Sequence, residues 1–134
     1  MRKVGIIGSG PLALAVNARL LEYALPVLMW GPEEEGVLEC VRAGAARAAT
    51  PAEVSSKVEY VIVAAADGPE SEQWHLGDHG IIQGMASGRI VIDMSTMSPS
   101  LARRLALACD KAGGLYLDAP VTGGALAART GNLA

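Results

Sequence analysis

The residues best equipped for chemistry stand close to the N-terminus. Gly8-Ser9-Gly10-Pro11-Leu12-Ala13 fits the pattern G-x-G-x-x-[GA]. A short apolar run precedes it and a run with helical spacing follows, which is the context the pattern needs. Gly8 permits a tight turn, and Gly10 lets a pyrophosphate reach the backbone. Ala13 is small enough for a helix to close on its strand. Pro11 removes one N–H donor, which a helix start tolerates. The N–H groups left free at that start would receive phosphates, with Ser9 and Leu12 between the motif positions. This predicts a dinucleotide site. The plain alternative is a tight strand-to-helix turn that holds nothing.

Cofactor choice should be set at the end of the second strand. An acid there, roughly 20 residues past the loop, would bond the ribose hydroxyls of NAD. The expected position is Gly31, so the acid is absent from it. No arginine stands nearby in sequence to hold a 2′-phosphate. Glu33, Glu34 and Glu35 follow and would repel that phosphate, which puts NAD ahead of NADP. The other reading makes them only the solvated first turn of a helix.

These residues need a scaffold, and the chain alternates short apolar runs with helical stretches. Strands are expected at residues 3–8, 26–30, 45–49, 59–65, 89–93 and 115–118. Helices are expected at 11–23, 33–43 and 98–112, with another starting at Thr50 and a short turn at 81–85. Thr50-Pro51-Ala52-Glu53 carries a cap, a proline at the first helical position and a capping-box acid. Residues 66–80 read as a polar loop with a short helix around Trp74. Continuously apolar strands imply burial on both faces, the mark of a parallel sheet covered by helices. The fold class is α/β, a Rossmann-type doubly wound parallel sheet, in one domain spanning residues 1–134.

Composition narrows the classes further. Of 134 residues, 51% are hydrophobic and 19% charged, which excludes a disordered chain. The net charge of −3 and the lack of a basic stripe argue against nucleic acid as a partner. No apolar run approaches the roughly 18 residues a membrane span needs. The charges at the N-terminus suit a signal peptide, but glycines and polar residues interrupt the apolar stretch too soon. Cys40 and Cys109 show no metal-ligand spacing and read as reduced thiols, so the expected compartment is the cytoplasm. His75 and His79 stand four apart, yet Gly77 and Gly80 favour a solvated loop over a metal-binding helix. No metal site is expected.

Three stretches together resemble the N-terminal domain of the β-hydroxyacid dehydrogenases, the family of 3-hydroxyisobutyrate dehydrogenase, tartronate semialdehyde reductase and, more distantly, 6-phosphogluconate dehydrogenase. The first runs from Val4 to Asn17 and includes Ala15-Val16-Asn17. The second is Asp93-Met94-Ser95-Thr96-Met97-Ser98-Pro99. The third is Asp118-Ala119-Pro120-Val121-Thr122-Gly123-Gly124, continued by Ala128 and Gly131. The resemblance implies that Gly8 and Gly10 carry the pyrophosphate and that Ala65-Ala66 lies against the cofactor. It puts Thr96 at the nicotinamide end. Thr122, Gly123 and Gly124 would hold the substrate's carboxylate or hydroxyl. Many relatives have Leu-Pro at Ala65-Ala66 and serine at Thr122.

The same resemblance implies a general acid/base lysine and a helical second domain. Lys3, Lys57 and Lys111 are the only lysines, and none matches the family's lysine motif, so no catalytic residue is assigned. Without a positioned acid/base a factor of about 10²–10⁴ is lost, and the chain alone is expected to be inactive. The expected function is therefore that of the NAD(P)-binding domain of a parent that moves a hydride between a nicotinamide and a short 3-hydroxy acid. The rival is a dinucleotide-binding module without chemistry. An adenosylmethionine-dependent transferase also uses a glycine-rich first turn, but Asp93 to Ser98 and Asp118 to Gly124 argue against it. Apolar surface left by the second domain would favour self-association.

Overall fold

The computed structural model describes residues 3–134. The charges at Met1 and Arg2 lie outside the described residues. The chain runs β1 (Val4–Ile7), α1 (Pro11–Glu22), β2 (Val27–Trp30), α2 (Glu34–Arg42), β3 (Ala46–Arg47), α3 (Pro51–Lys57), β4 (Tyr60–Val63), α4 (Gly68–Leu76), α5 (Ile81–Gly84), β5 (Ile90–Asp93), α6 (Pro99–Lys111), β6 (Leu115–Asp118) and α7 (Gly124–Thr130). All six strands are parallel, in the order β3-β2-β1-β4-β5-β6. This is the doubly wound Rossmann arrangement. The direction of winding reverses between β1 and β4, and ligands in such sheets sit at that reversal, outside the strand C-termini.

Side chains alternate across each strand, so the sheet separates two cores. Ile6, Met29 and Ile62 face α1, α2 and α7 through Val16, Val37 and Ala128. Ile7, Val61, Val63 and Val91 face the other helices through Val54, Trp74, Ile81 and Cys109. Local chemistry sets the helix starts. Thr50 Oγ1 accepts from Glu53 N at 3.1 Å, and Ser98 Oγ accepts from Leu101 N at 3.2 Å.

Two expectations need correction. Residues 66–80 are not mainly loop, because α4 occupies Gly68–Leu76. Asp67 caps it, accepting from Glu70 N at 2.9 Å, while Glu70 Oε1 accepts from Ala66 N at 2.9 Å. This is a capping box shifted by one residue, since the acid accepts from the N–H just before the N-cap. Burial of strands on both faces fails at β6, where Leu115 and Leu117 are exposed, because this strand forms the sheet edge. After Gly123 the chain forms α7, which buries Ala128 against the α1 side.

Gly5 shows how tightly the central strand is covered. A Cβ there would lie 2.3 Å from Val54 Cγ1 and 2.9 Å from Val58 Cγ2. Gly5→Ala should therefore destabilise the domain by about 1–3 kcal/mol through overpacking. Urea unfolding should show a lower midpoint with an unchanged slope.

Candidate functional site

The site is built around the end of β1. Gly8 has φ +138° and donates its N–H to Trp30 O at 2.8 Å. A Cβ at Gly8 would sit 2.6 Å from Ala64 O, so only glycine lets the chain pass the end of β4 this closely. Ala13 is buried beneath the turn. Helix α1 then starts without a side-chain cap, since Gly10 has none to offer. Leu14 N already donates to Gly10 O at 3.0 Å and Pro11 has no N–H. The N–H groups of Leu12 and Ala13 are left without an acceptor inside the helix. A Cβ built on Gly10 meets nothing within 4 Å.

A cleft of about 230 Å³ opens there. The loop from Ser9 to Ala13 forms its floor, Ala64, Ala65 and Ala66 one wall, and Glu33, Glu70 and Trp74 its rim. Small side chains expose backbone along most of it. Trp74 is held edge-on to Trp30, with ring centroids 5.5 Å apart. The same loop and Glu33 border a second, larger groove of about 790 Å³ between α1, α2 and α7.

Ser9 is buried although it borders both cavities. Its hydroxyl accepts from Glu33 N at 2.9 Å and donates to the Glu33 carboxylate. Gly31 makes room for this, because a Cβ there would lie 2.3 Å from Ser9 Cβ. Gly31 thus packs behind Ser9 and does not line the cleft, whereas Glu33 does. Glu33, two positions after Gly31, is the acid that the fold brings to the cleft. The sequence also suggested that no arginine stands near this corner. The fold brings Arg47 of β3 to Glu34, with bonds of 2.9 and 2.5 Å. That bidentate pair raises the Arg47 pKa and lowers the Glu34 pKa, and it is exposed.

Thr96 follows β5 and is exposed. Thr122, Gly123 and Gly124 follow β6 and are exposed too. Thr122 N donates to Ala134 O at 2.6 Å, and Gly123, with φ +105°, precedes α7. The register pairs Asp93 with Asp118, so both segments leave the sheet at the same end as the cleft. Among the described residues, Ser9, Gly10, Pro11, Leu12, Ala65 and Ala66 share the cleft, while Thr96, Thr122, Gly123 and Gly124 border neither cavity. None of the three lysines lines either one. No cluster of His, Cys, Asp or Glu suited to a metal occurs among the described residues.

Behind the cleft wall lies a buried polar group that sequence reasoning passed over. Asp93 is fully buried at the end of β5. It accepts from Ser71 Oγ at 2.6 Å, Tyr116 OH at 2.9 Å and Ser95 N at 3.0 Å. Burial, then the Asp93 carboxylate, push the Tyr116 hydroxyl pKa up, and the same two causes push the Cys109 thiol up to about 12. Burial also raises Cys40, so both unpaired cysteines are protonated thiols at neutral pH. His75 is not in a solvated loop. It is fully buried on α4, with Nδ1 2.8 Å from Ser71 O. The signal that could have found this face was the capping box Asp67-Gly68-Pro69-Glu70, which starts a helix and so puts Ser71 and His75 on one side.

The chain matches, over residues 3–134, the family described as the NAD binding domain of 6-phosphogluconate dehydrogenase. It is 33% identical over 130 residues to the mitochondrial 3-hydroxyisobutyrate dehydrogenase of Mus musculus, covering 97% of this chain and 39% of that protein. It is 32% identical over 133 residues to 2-hydroxy-3-oxopropionate reductase of Escherichia coli (strain K12), covering 98% and 44%. Among solved structures, Psf3 in complex with NADP+ and 2-OPP superposes with a TM-score of 0.90 at 30% identity, covering 97% of this chain and 46% of that one. The chain thus spans about two-fifths of the length of these relatives.

Burial lowers the His75 pKa from its ordinary value near 6.5, against weaker opposing effects of Ser71 and Asp93. Below pH 6.5 the unfolded chain takes up a proton that the folded chain resists, so stability is lost as pH falls toward the depressed folded value. Urea unfolding at pH 7.5 and 5.5 should show this loss, at most about 1.4 kcal/mol per pH unit from this group. His75→Gln should remove that component of the slope.

Proposed function

The chain belongs to the family of NAD-binding domains of 6-phosphogluconate dehydrogenase, and from that premise we propose that its cleft carries a nicotinamide dinucleotide, NAD ahead of NADP, for hydride transfer to or from a short 3-hydroxy acid in a longer parent protein. NAD(P) is the cofactor of the family, and when bound it supplies a hydride acceptor or donor at its nicotinamide ring. The observation that carries the reading is the open space at Gly10 over the uncapped start of α1. Two orphan N–H groups and the positive end of a 12-residue helix suit a pyrophosphate there.

The roles follow from position. Gly8 and Gly10 admit the pyrophosphate, and Leu12 and Ala13 donate to it. Ser9 serves through its backbone, because its hydroxyl is engaged with Glu33. Pro11 sets the helix start. Gly31 acts indirectly, by leaving room for Ser9. The Glu33 carboxylate at the cleft rim would accept from the hydroxyls of the adenosine ribose and repel a 2′-phosphate. Arg47 does not offset this, since Glu34 already holds it. Ala65 and Ala66 wall the cleft, and Thr96 would serve the nicotinamide end. Thr122, Gly123 and Gly124 would hold the substrate's carboxylate or hydroxyl.

No residue of this chain is assigned as acid/base. The proton that accompanies hydride transfer is left to a group outside residues 1–134, which form the dinucleotide domain. The absence of any lysine from the cavity walls also supports the second reading, a dinucleotide-binding module without chemistry. Unpaired, buried Cys40 and Cys109 fit a reducing compartment, the cytoplasm in this reading. The exposed Leu115 and Leu117 support self-association through β6.

Calorimetric titration with NAD+, NADP+ and S-adenosylmethionine tests the reading. NAD+ should bind most tightly and S-adenosylmethionine not at all. Silence with both dinucleotides would refute it. Gly10→Ala should weaken NAD+ binding about tenfold or more, roughly 1.4 kcal/mol, because a methyl group enters the phosphate space. Its melting temperature should not move, since Gly10 has φ −79° and an open Cβ position. Glu33→Gln should narrow the preference for NAD+ over NADP+ by about tenfold as one like-charge repulsion is removed.

A further inference from the structure

The wall of the cleft is a turn of two alanines, Ala65 and Ala66, which carry no side chain able to stiffen it. Its shape is held from outside. Ala65 N donates to Ser95 Oγ at 2.9 Å, and Ala66 N donates to Glu70 Oε1 at 2.9 Å. Both acceptors lead back to one buried carboxylate. The N–H of Ser95 donates to Asp93 Oδ1, which orients the residue whose hydroxyl receives Ala65. Ser71, one residue after Glu70 on α4, donates its hydroxyl to Asp93 Oδ2. Tyr116 on β6 donates to the same oxygen.

We propose that Asp93 is a positioning residue for the cleft: through Ser95 it fixes the Ala65–Ala66 turn, and through Ser71 it fixes the helix that brings Glu70 and Trp74 to the rim. The inference rests on the dinucleotide reading and adds a residue that touches no ligand. The geometry explains why a charged group is buried here. A carboxylate offers only acceptor sites, so its two oxygens can gather three donors from three different elements. Charge-assisted bonds of this sort are shorter and roughly twice as strong as neutral ones. An amide in the same place presents one acceptor oxygen and one donor NH2. With the amide oxygen on Ser95 N–H, its NH2 meets the two hydroxyls, which must turn to accept from it, and every charge-assisted bond becomes a weaker neutral one.

The test uses the 134-residue chain with NADH as the probe, detected by energy transfer from Trp74 at the cleft rim. Asp93→Asn should weaken NADH binding by about tenfold and speed hydrogen exchange at the Ala65 amide. Ser95→Ala, which removes the relay alone, should do the same. Asp93→Asn added to Ser95→Ala should cost less than it does alone, because the path through Ser95 is already lost and only the path through Ser71 remains. Val91→Ala is the control for simple destabilisation, since Val91 is buried on the same strand and makes no bond to the turn. It should lower the melting temperature and leave NADH affinity unchanged. If Asp93→Asn behaves like Val91→Ala, or if the two losses at Asp93 and Ser95 add in full, the inference is overturned while the cofactor reading stands. If the unaltered chain binds neither NADH nor NADPH, both fall together.

Discussion

The close approach of α1 to the ends of β1 and β4 governs the rest of this molecule. A carbonyl oxygen, Ala64 O, occupies the place where a side chain on Gly8 would begin. With no side chain there, the strand can turn sharply at φ +138° and enter a helix whose first N–H groups face the strand ends. The same contact fixes the floor of the cleft relative to its wall, because Ala64 N also donates to Ile7 O. A larger residue at Gly8 would push β4 away from the turn. It would also take the left-handed backbone region without glycine's freedom.

Around that contact the fold packs polar groups unusually close to the core. Buried Ser9 bonds to Glu33 at the cleft rim, and buried Asp93 gathers Ser71, Tyr116 and Ser95 behind the wall. Burial of polar groups such as Ser9 and Asp93 is unfavourable unless their bonds are complete, so each set of bonds constrains its elements to one arrangement. The first joins β1 to β2. The second joins β5, β6 and α4. Strands on either side of the β1–β4 reversal are thus tied by side-chain bonds as well as by the sheet ladder.

The parts of the fold that were legible in the sequence rest on local chemistry. Thr50-Pro51 and Ser98-Pro99 announced their helices because a cap and a proline act within one turn. The glycine-rich loop was legible for the same reason. Helix α4 is longer than the short helix expected around Trp74, because Gly68-Pro69 looks like a turn when read alone. Its commitment to helix comes from Asp67 and Glu70 together, and from Ser71, Trp74 and His75 finding partners on the sheet. Strand β6 looked buried because Leu115 and Leu117 are apolar. Apolar character records what a residue favours, while burial depends on what is packed beside it.

The sequence by itself determined the alternation of strand and helix, the phosphate-type loop and the family. These rest on periodicity, glycine placement and short motifs, all of which act over a few residues. Only the tertiary structure decided which acid meets the loop, where Arg47 spends its charge and what holds the Ala65–Ala66 turn. Ser9 and Glu33 are 24 residues apart, and Ala65 and Ser95 are 30 apart. Bonds at that separation exist because parallel strands of one sheet end at one level, and no local pattern along the chain encodes which side chains will meet there.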